Sequence, residues 1–299
     1  MQVYIITSAK FEECYIEEWV KYHLNMGFDK IIINDNNPKD YPYNPKDILK
    51  KYIDNGQVIV ERYYDTHQLQ HNIQEPDLEN VYTWLYNKYK NEFDWAAKLD
   101  IDEFIEISET NNDIKKFLLQ NKFSNVLSIL IPWKEYKVKD EYSYQYTRLK
   151  NNRDRFEINN DQKYGYWSFK PIIRNNDNVI KIGNHFAYFN NVNNIATQLY
   201  VYPNGDNANI TNYINDNSIW SLSPDENYCK IISNNCYINH YSNRSIEENI
   251  NHCIKFEADK DSEFWLHYFY KEYYKQYQDM FDNPRDLYKI YFLENENNI

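Results

Sequence analysis

The opening stretch of the chain sets the strongest constraint on its fold. Val3-Tyr4-Ile5-Ile6 is a short apolar run stopped by Thr7-Ser8, and it reads as a buried strand. Residues 12–26 then carry Tyr15/Ile16, Trp19/Val20 and His23/Leu24 at the three-four spacing of an amphipathic helix, with Gly27 placed to cap it. Lys30-Ile31-Ile32-Ile33-Asn34 is a second apolar run, closed by Asp35-Asn36-Asn37-Pro38. Parallel neighbours need a crossover, so strand, helix and strand in this order predict a parallel βαβ unit.

The alternation continues. Residues 47–54 read as a short helix before Gly56, 57–62 as a strand, and 77–91 as a helix with Val81, Trp84, Leu85 and Lys88 on one side. Residues 95–99 form a strand that runs directly into Asp100-Ile101-Asp102-Glu103. Beyond residue 112 the pattern changes. A strand over 126–131 is expected to end at Pro132, residues 137–165 read as a polar excursion, and two strands are expected at 166–174 and 179–182. Segment 203–228 is loop-like, and 231–241 holds a further strand. From Ser245 the chain reads helical, opened by the capping box Ser245-Ile246-Glu247-Glu248. The fold class is therefore α/β, a Rossmann-like mixed, mostly parallel sheet flanked by helices. One domain is expected over 1–244, with halves 1–112 and 113–244, and a helical, aromatic-rich extension over 245–299 packed on it.

Composition removes several functions. The formal net charge is −12 and no basic patch offsets it, which excludes a nucleic-acid binder. Only 5 glycines are present, at 27, 56, 165, 183 and 205, too scattered for a dinucleotide fingerprint or a P-loop. The cysteines at 14, 229, 236 and 253 form no C-x-x-C pair, so a zinc or redox motif is not expected, and a reducing cytoplasm fits best. His67 and His71 share a helical spacing but lack the acid of H-E-x-x-H. No stretch approaches the ~20 apolar residues of a membrane span, and the apolar start is too short for a signal peptide. Tyrosine is abundant, 31 residues, which suits AT-rich coding or sugar stacking alike.

The chemistry concentrates at Asp100-Ile101-Asp102. In an extended chain the two carboxylates share one face. They repel there unless a divalent cation lies between them and a diphosphate, and hard oxygen ligands suit Mn²⁺ or Mg²⁺. Such a cation neutralises charge on a departing diphosphate. The motif ends a strand, where open parallel sheets bind ligands. The bland reading is a pair that salt-bridges Lys98 or caps a helix. Phosphohydrolases also use Asp-x-Asp, but theirs ends the first strand and continues into Thr or Val, whereas this one is mid-chain and continues into Glu103-Phe104.

An ordered set of further residues surrounds it: Lys10-Phe11-Glu12, Glu18-Trp19, Tyr22-His23, Gly27, Asp35-Asn36, Trp95 before Asp100-Ile101-Asp102-Glu103-Phe104, Pro132-Trp133, Lys170-Pro171-Ile172-Ile173-Arg174, His185, and Asn239-His240-Tyr241 with Ser245. In order and spacing, over about residues 3 to 255, this resembles glycosyltransferases of the GT-A fold, the family 2-like and family 92-like group. The resemblance implies a metal-dependent transfer, by inversion, from a nucleoside-diphosphate sugar, UDP-linked, to a glycan or lipid-linked acceptor. It implies that Thr7, Lys10, Glu12 and Asp35 lie at the donor site, with Lys98 among the donor contacts, that Asp100 faces ribose or metal, and that Asp102 and His240 hold the cation; His185, after Gly183-Asn184, lines the acceptor or the donor diphosphate pocket or is structural. Two departures stand out. Phe11 replaces the Asn of the first motif, and Tyr136-Lys137 stand where glycines are expected.

The acceptor hydroxyl needs a carboxylate base, and Asp206, Glu226 and Glu135 are the candidates, on segments expected to rim the pocket. A non-catalytic carbohydrate-binding protein is the competing class. The tail residues Phe264, Trp265, Tyr268 and Phe269 dock as a helix on the core, form a homodimer surface, or make peripheral contact with the inner face of a membrane; acids among its lysines weaken the last.

Overall fold

The βαβ unit forms as expected. In the computed structural model β1 (Val3–Ala9), α1 (Ile16–Asn25) and β2 (Lys30–Asp35) follow in order, and β1 and β2 run parallel from Tyr4 opposite Lys30 to Ala9 opposite Asp35. The structure describes residues 1–37, 41–63, 78–143, 145–159, 169–190, 198–208, 234–245 and 248. Gly27 takes φ +94°, the left-handed value a helix-ending glycine supplies. The helix expected over 47–54 is broken at Leu49 into α2 (Pro45–Ile48), capped by the Asn44 side chain, and α3 (Lys50–Asp54). β3 (Val58–Glu61) joins β2 in parallel. After α4 (Leu78–Tyr89), β4 (Trp95–Lys98) joins the other side of β1, also in parallel.

Antiparallel pairing enters with the second half. Here follow β5 (Glu103–Glu106), α5 (Ile114–Leu118), β6 (Val126–Val138), β7 (Phe156–Ile158), β8 (Phe169–Arg174), β9 (Val179–Ile182), β10 (Ala187–Phe189), β11 (Gln198–Val201) and β12 (Tyr237–Asn243). The main sheet runs β3-β2-β1-β4-β8-β6-β12-β5, with β9 and β10 as a separate pair. This is the mixed α/β sheet flanked by helices that the sequence predicts. One expectation fails: Pro132 does not end β6, which continues to Val138. Pro132 stands opposite Phe169 of β8, two residues on from Leu130 opposite Pro171, a pair that cannot exchange N–H bonds, so it falls at a non-hydrogen-bonded place of that ladder, and it lies beyond Ile129, the last β6 residue paired with β11.

Helix α4 shows what the tyrosines do. Val81, Tyr82, Leu85 and Tyr86 are buried against Tyr4, Ile6, Ile32 and Ala96, and Trp84 is only partly covered. The buried face thus keeps Val81 and Leu85 as expected but turns toward Tyr82, Tyr86 and Tyr89 rather than Trp84 and Lys88. A buried tyrosine hydroxyl needs a hydrogen-bond partner, and the ring face can hold a cation. Tyr86 Oη donates to Asn175 at 3.2 Å, and the Tyr82 ring lies 4.7 Å from the Lys98 ammonium.

Helix α1 fastens the strand that follows the Asp-x-Asp. The Trp19 indole donates to the Glu103 carbonyl at 2.7 Å, and Tyr22 Oη donates to the Ile105 carbonyl at 2.7 Å. The Ile105 N–H donates to His23 Nε2 at 3.4 Å while His23 Nδ1 donates to the Trp19 carbonyl at 3.0 Å. Trp19, Tyr22 and His23 therefore act through the position of β5.

The chain divides into two compact units, Met1–Tyr136 with Ile158–Ser242, and Lys137–Glu157 with Asn243–Ile299. In the second, the Ser245 box closes: the Ser245 N–H and Oγ donate to Glu248 Oε2 at 2.9 and 2.7 Å. Arg155 grips the same carboxylate at 2.9 and 2.8 Å. Residues 209–233, the rest of the tail, His67, His71 and Glu226 lie outside the described residues.

Candidate active site

Strand pairing assembles the site. β12 pairs antiparallel with β5, and His240 stands opposite Glu103, one residue past Asp102. The Tyr241 N–H donates to the Asp102 carbonyl at 3.0 Å, which ties the two segments together. His240 Nε2 then lies 3.8 Å from Asp102 Oδ2. On the other side of the ring, His240 Nδ1 meets Glu135 Oε1 of β6 at 2.8 Å. Ser242, two residues along β12 and so on the same face, donates to Glu135 Oε2 at 2.7 Å. Trp133, also on β6, covers the imidazole at 4.1 Å between ring centroids. Burial works against charge on His240. The Glu135 hydrogen bond and the charges of Asp102, Glu135 and Glu103 outweigh it and raise its pKa to about 9.

Asp100 turns elsewhere. Its Oδ1 accepts from Lys98 at 2.7 Å and its Oδ2 from Lys170 at 2.5 Å. Both lysines are buried, on β4 and β8. Burial favours the neutral acid, but the two ammonium groups overcome it and hold Asp100 far below the usual carboxylate range. The salt bridge to Lys98 considered from the sequence is therefore present. Glu103, completely buried, accepts the Asp100 N–H at 2.8 Å and lies 3.3 Å from Lys170. Burial, aided by the Asp100 charge and opposed by Lys170, pushes it up to about 7. The Asp-x-Asp thus separates into a lysine-held Asp100 and an Asp102 aimed at His240.

His185 joins the lysine side. Its Nδ1 lies 3.1 Å from the Phe169 carbonyl, an oxygen that only accepts, so Nδ1 carries the proton. Burial and the charges of Lys170 and Lys98 lower its pKa to about 3. Its ring stands 5.6 Å from Trp133. Trp133 Nε1 is buried with no hydrogen-bond partner among the described residues.

The remaining sequence-predicted residues lie at the ends of β1 and β2. Thr7 is buried in β1, and its Oγ1 has no partner among the described residues. Lys10 and Glu12 follow, both largely buried. Asp35 is committed to its own turn: Oδ1 accepts from the Asn37 backbone and side chain at 3.1 and 2.9 Å, and Oδ2 lies 3.4 Å from Arg62. Phe11 takes φ +58°, a left-handed conformation in which Asn is at ease and Phe is strained. The position is held by a bond from the Phe11 N–H to Asn37 Oδ1 at 2.8 Å and by the Tyr41 ring at 4.6 Å.

The structure does not bring Asp206 to His240. Asp206 is exposed in a turn beside Gly205, whose position abuts Lys122, just before β6. Glu135 lies toward the far end of β6, roughly 30 Å along an extended strand from Val126. Sequence reasoning overlooked Glu103 and Ser242. Ser242 was accessible through the period-two spacing from His240, and Glu103 through its place between Asp102 and the apolar run that begins at Phe104.

Metal fit can be judged from the donor set. Among the described residues no three His, Cys, Asp or Glu side chains converge as a complete metal cage. Asp102 and His240 supply one carboxylate and one imidazole. That set suits a cation whose other positions are filled by diphosphate oxygens and water, as Mg²⁺-type sites commonly are.

No model of a known protein family matches the chain, and no curated protein does. Solved structures similar to it include TarS of S. aureus, at 17% identity and TM-score 0.36, covering 58% of this chain and 28% of that one. The apo structure of the bifunctional glycosyltransferase WbbM matches at 12% identity and TM-score 0.27, over 44% of this chain and 23% of that one. A glycosyltransferase involved in glycosylation of the major capsid of PBCV-1 matches at 9% and 0.24, over 58% and 60%. The match thus spans under a third of the first two chains and three fifths of the third. No described helix is long and apolar enough to cross a membrane.

Proposed function

We propose that the chain is a glycosyltransferase that moves a sugar from a nucleoside-diphosphate sugar, UDP-linked, to a hydroxyl of a glycan or lipid-linked acceptor by inverting displacement. The observation that carries this reading is the Asp102–His240 pair at 3.8 Å, just past the end of the parallel strand β4, set beside the buried Lys98, which ends β4, and the buried Lys170 of β8. Asp102 and His240 would hold Mn²⁺ or Mg²⁺, which when bound offsets the charge of the leaving diphosphate. Lys98 and Lys170, held by Asp100, keep positive charge next to that place. His185, neutral, presents a ring without adding charge. Trp133 offers a buried N–H donor to a substrate oxygen. Residues 1–244 form the catalytic domain in this reading, and 245–299 an extension.

The test is a donor screen. The purified chain is incubated with a panel of nucleotide sugars, with and without Mn²⁺, and released nucleoside diphosphate is measured. Mn²⁺-stimulated release from one donor class is expected. Binding of sugars without turnover of any donor would favour a carbohydrate-binding protein and end the transferase reading.

A further inference from the structure

We propose that Glu135 is a positioning residue for His240, holding the imidazole so that its Nε2 lone pair faces the cation site at Asp102; this rests on the metal-dependent reading above. Three observations converge. Glu135 has both oxygens engaged, Oε1 by His240 Nδ1 at 2.8 Å and Oε2 by Ser242 Oγ at 2.7 Å. A carboxylate only accepts, so the contact places a proton on Nδ1, and Nε2 is the nitrogen left to ligate once a cation displaces its proton. Nε2 is also the atom that faces Asp102 Oδ2. Finally, Trp133 lies over the ring at 4.1 Å and opposes its rotation.

The alternative is that Glu135 takes the acceptor proton. A base needs an oxygen lone pair aimed at that hydroxyl. Each Glu135 oxygen already accepts a bond from β12, so its remaining lone pairs would have to reach the hydroxyl from a side chain that is largely buried against His240 and Ser242. A carboxylate behind a ligating histidine fixes its tautomer and orientation and strengthens it as a donor, and loss of such a group commonly weakens metal binding about 10–100-fold.

The experiment measures Mn²⁺ affinity directly, by electron paramagnetic resonance of the unbound ion, on the full chain with and without UDP. Glu135→Gln keeps the size of the side chain and Ser242→Ala removes only its second tether; thermal melts confirm that each variant is folded. Glu135→Gln is expected to raise the Mn²⁺ Kd about 10–100-fold, and Ser242→Ala to raise it by less. The double variant Glu135→Gln/His240→Ala should bind no more weakly than His240→Ala, because the effect of Glu135 passes through the imidazole. Mn²⁺ binding that depends on Asp102 but is unchanged in Glu135→Gln would overturn the positioning role and leave the metal reading intact. Additive losses in the double variant would do the same. A parent chain that binds no Mn²⁺ even with UDP would overturn both.

Discussion

His240 and Asp102 come from distant parts of the sequence, yet their side chains face each other at 3.8 Å because β12 is registered against β5. Asp100, two residues from Asp102, faces away to Lys98 and Lys170. The two acids of the motif should therefore respond differently to substitution. Asp102→Asn is expected to cost several kcal/mol of charge stabilisation, about 10³-fold in turnover, and to abolish the response to Mn²⁺. Its thermal midpoint should stay within a few degrees of the parent, since the other side of the His240 ring keeps its Glu135 partner. Steady-state rates across an Mn²⁺ titration give the answer. A variant that keeps its Mn²⁺ dependence would remove Asp102 from the cation site.

Glu103 predicts a pH effect on stability. Its folded pKa, about 7, is raised above the ordinary 4.5. The folded chain therefore holds a proton that the unfolded chain releases between those values. The stabilisation is fully present below pH 4.5 and is lost as pH rises through about 7, at about 1.4 kcal/mol per pH unit within the window. Glu103→Gln should flatten that fall and be at least as stable as the parent at pH 8. Denaturant midpoints at pH 5 and pH 8 measure it; parallel pH profiles for parent and variant would show that Glu103 is ionised throughout.

How much of this was legible in the sequence depends on the range of the interaction. The βαβ unit was readable because apolar spacing in 3–35 is local, and Gly27 marked the helix end. Pairing Asp102 with His240 required the family resemblance, since no local rule sets the register of β12 against β5. The split between Asp100 and Asp102 was hidden because Lys170 arrives from β8, an antiparallel strand far along the chain. Pro132 misled because a proline is tolerated at a non-hydrogen-bonded place of a ladder, and the register of β6 on β8 is a tertiary property.

His185 should stay neutral through the physiological range. Its pKa is lowered to about 3 by burial and by Lys170 and Lys98, so its ring resonances should not move between pH 5 and 8. An NMR titration of histidine ring protons, assigned with His185→Gln, reads this directly. A midpoint near the ordinary 6.5 would mean that the ring is open to water and that the two lysines lie further away.

Phe11 carries two opposing contributions. Its left-handed φ of +58° costs about 1–2 kcal/mol, and its ring at 4.6 Å from Tyr41 returns about 0.5–1.5 kcal/mol. Phe11→Asn relieves the first and loses the second, so stability should change by no more than about 1 kcal/mol. Phe11→Val keeps the strain, adds a branched Cβ and loses the ring, and should cost about 2 kcal/mol or more. Equal stability of the two variants in urea unfolding would show that the backbone there is not left-handed.

Arg155 and Glu248 test the second unit. The pair is buried and bidentate, at 2.9 and 2.8 Å, and Glu248 also accepts from Ser245. Two buried charges gain little over apolar residues of the same size, but either one left alone is costly. Arg155→Met should therefore destabilise by about 3–5 kcal/mol, because Glu248 is left charged and buried. Arg155→Met with Glu248→Leu removes the carboxylate whose charge Arg155 had balanced and should recover more than half of that loss, the remainder reflecting the Ser245 cap at about 1 kcal/mol. Urea unfolding of the single and double variants decides it. A double variant as unstable as Arg155→Met would show that the guanidinium contributes through packing on Tyr146 and Phe156, whose rings lie 4.7 and 5.1 Å away, rather than through charge.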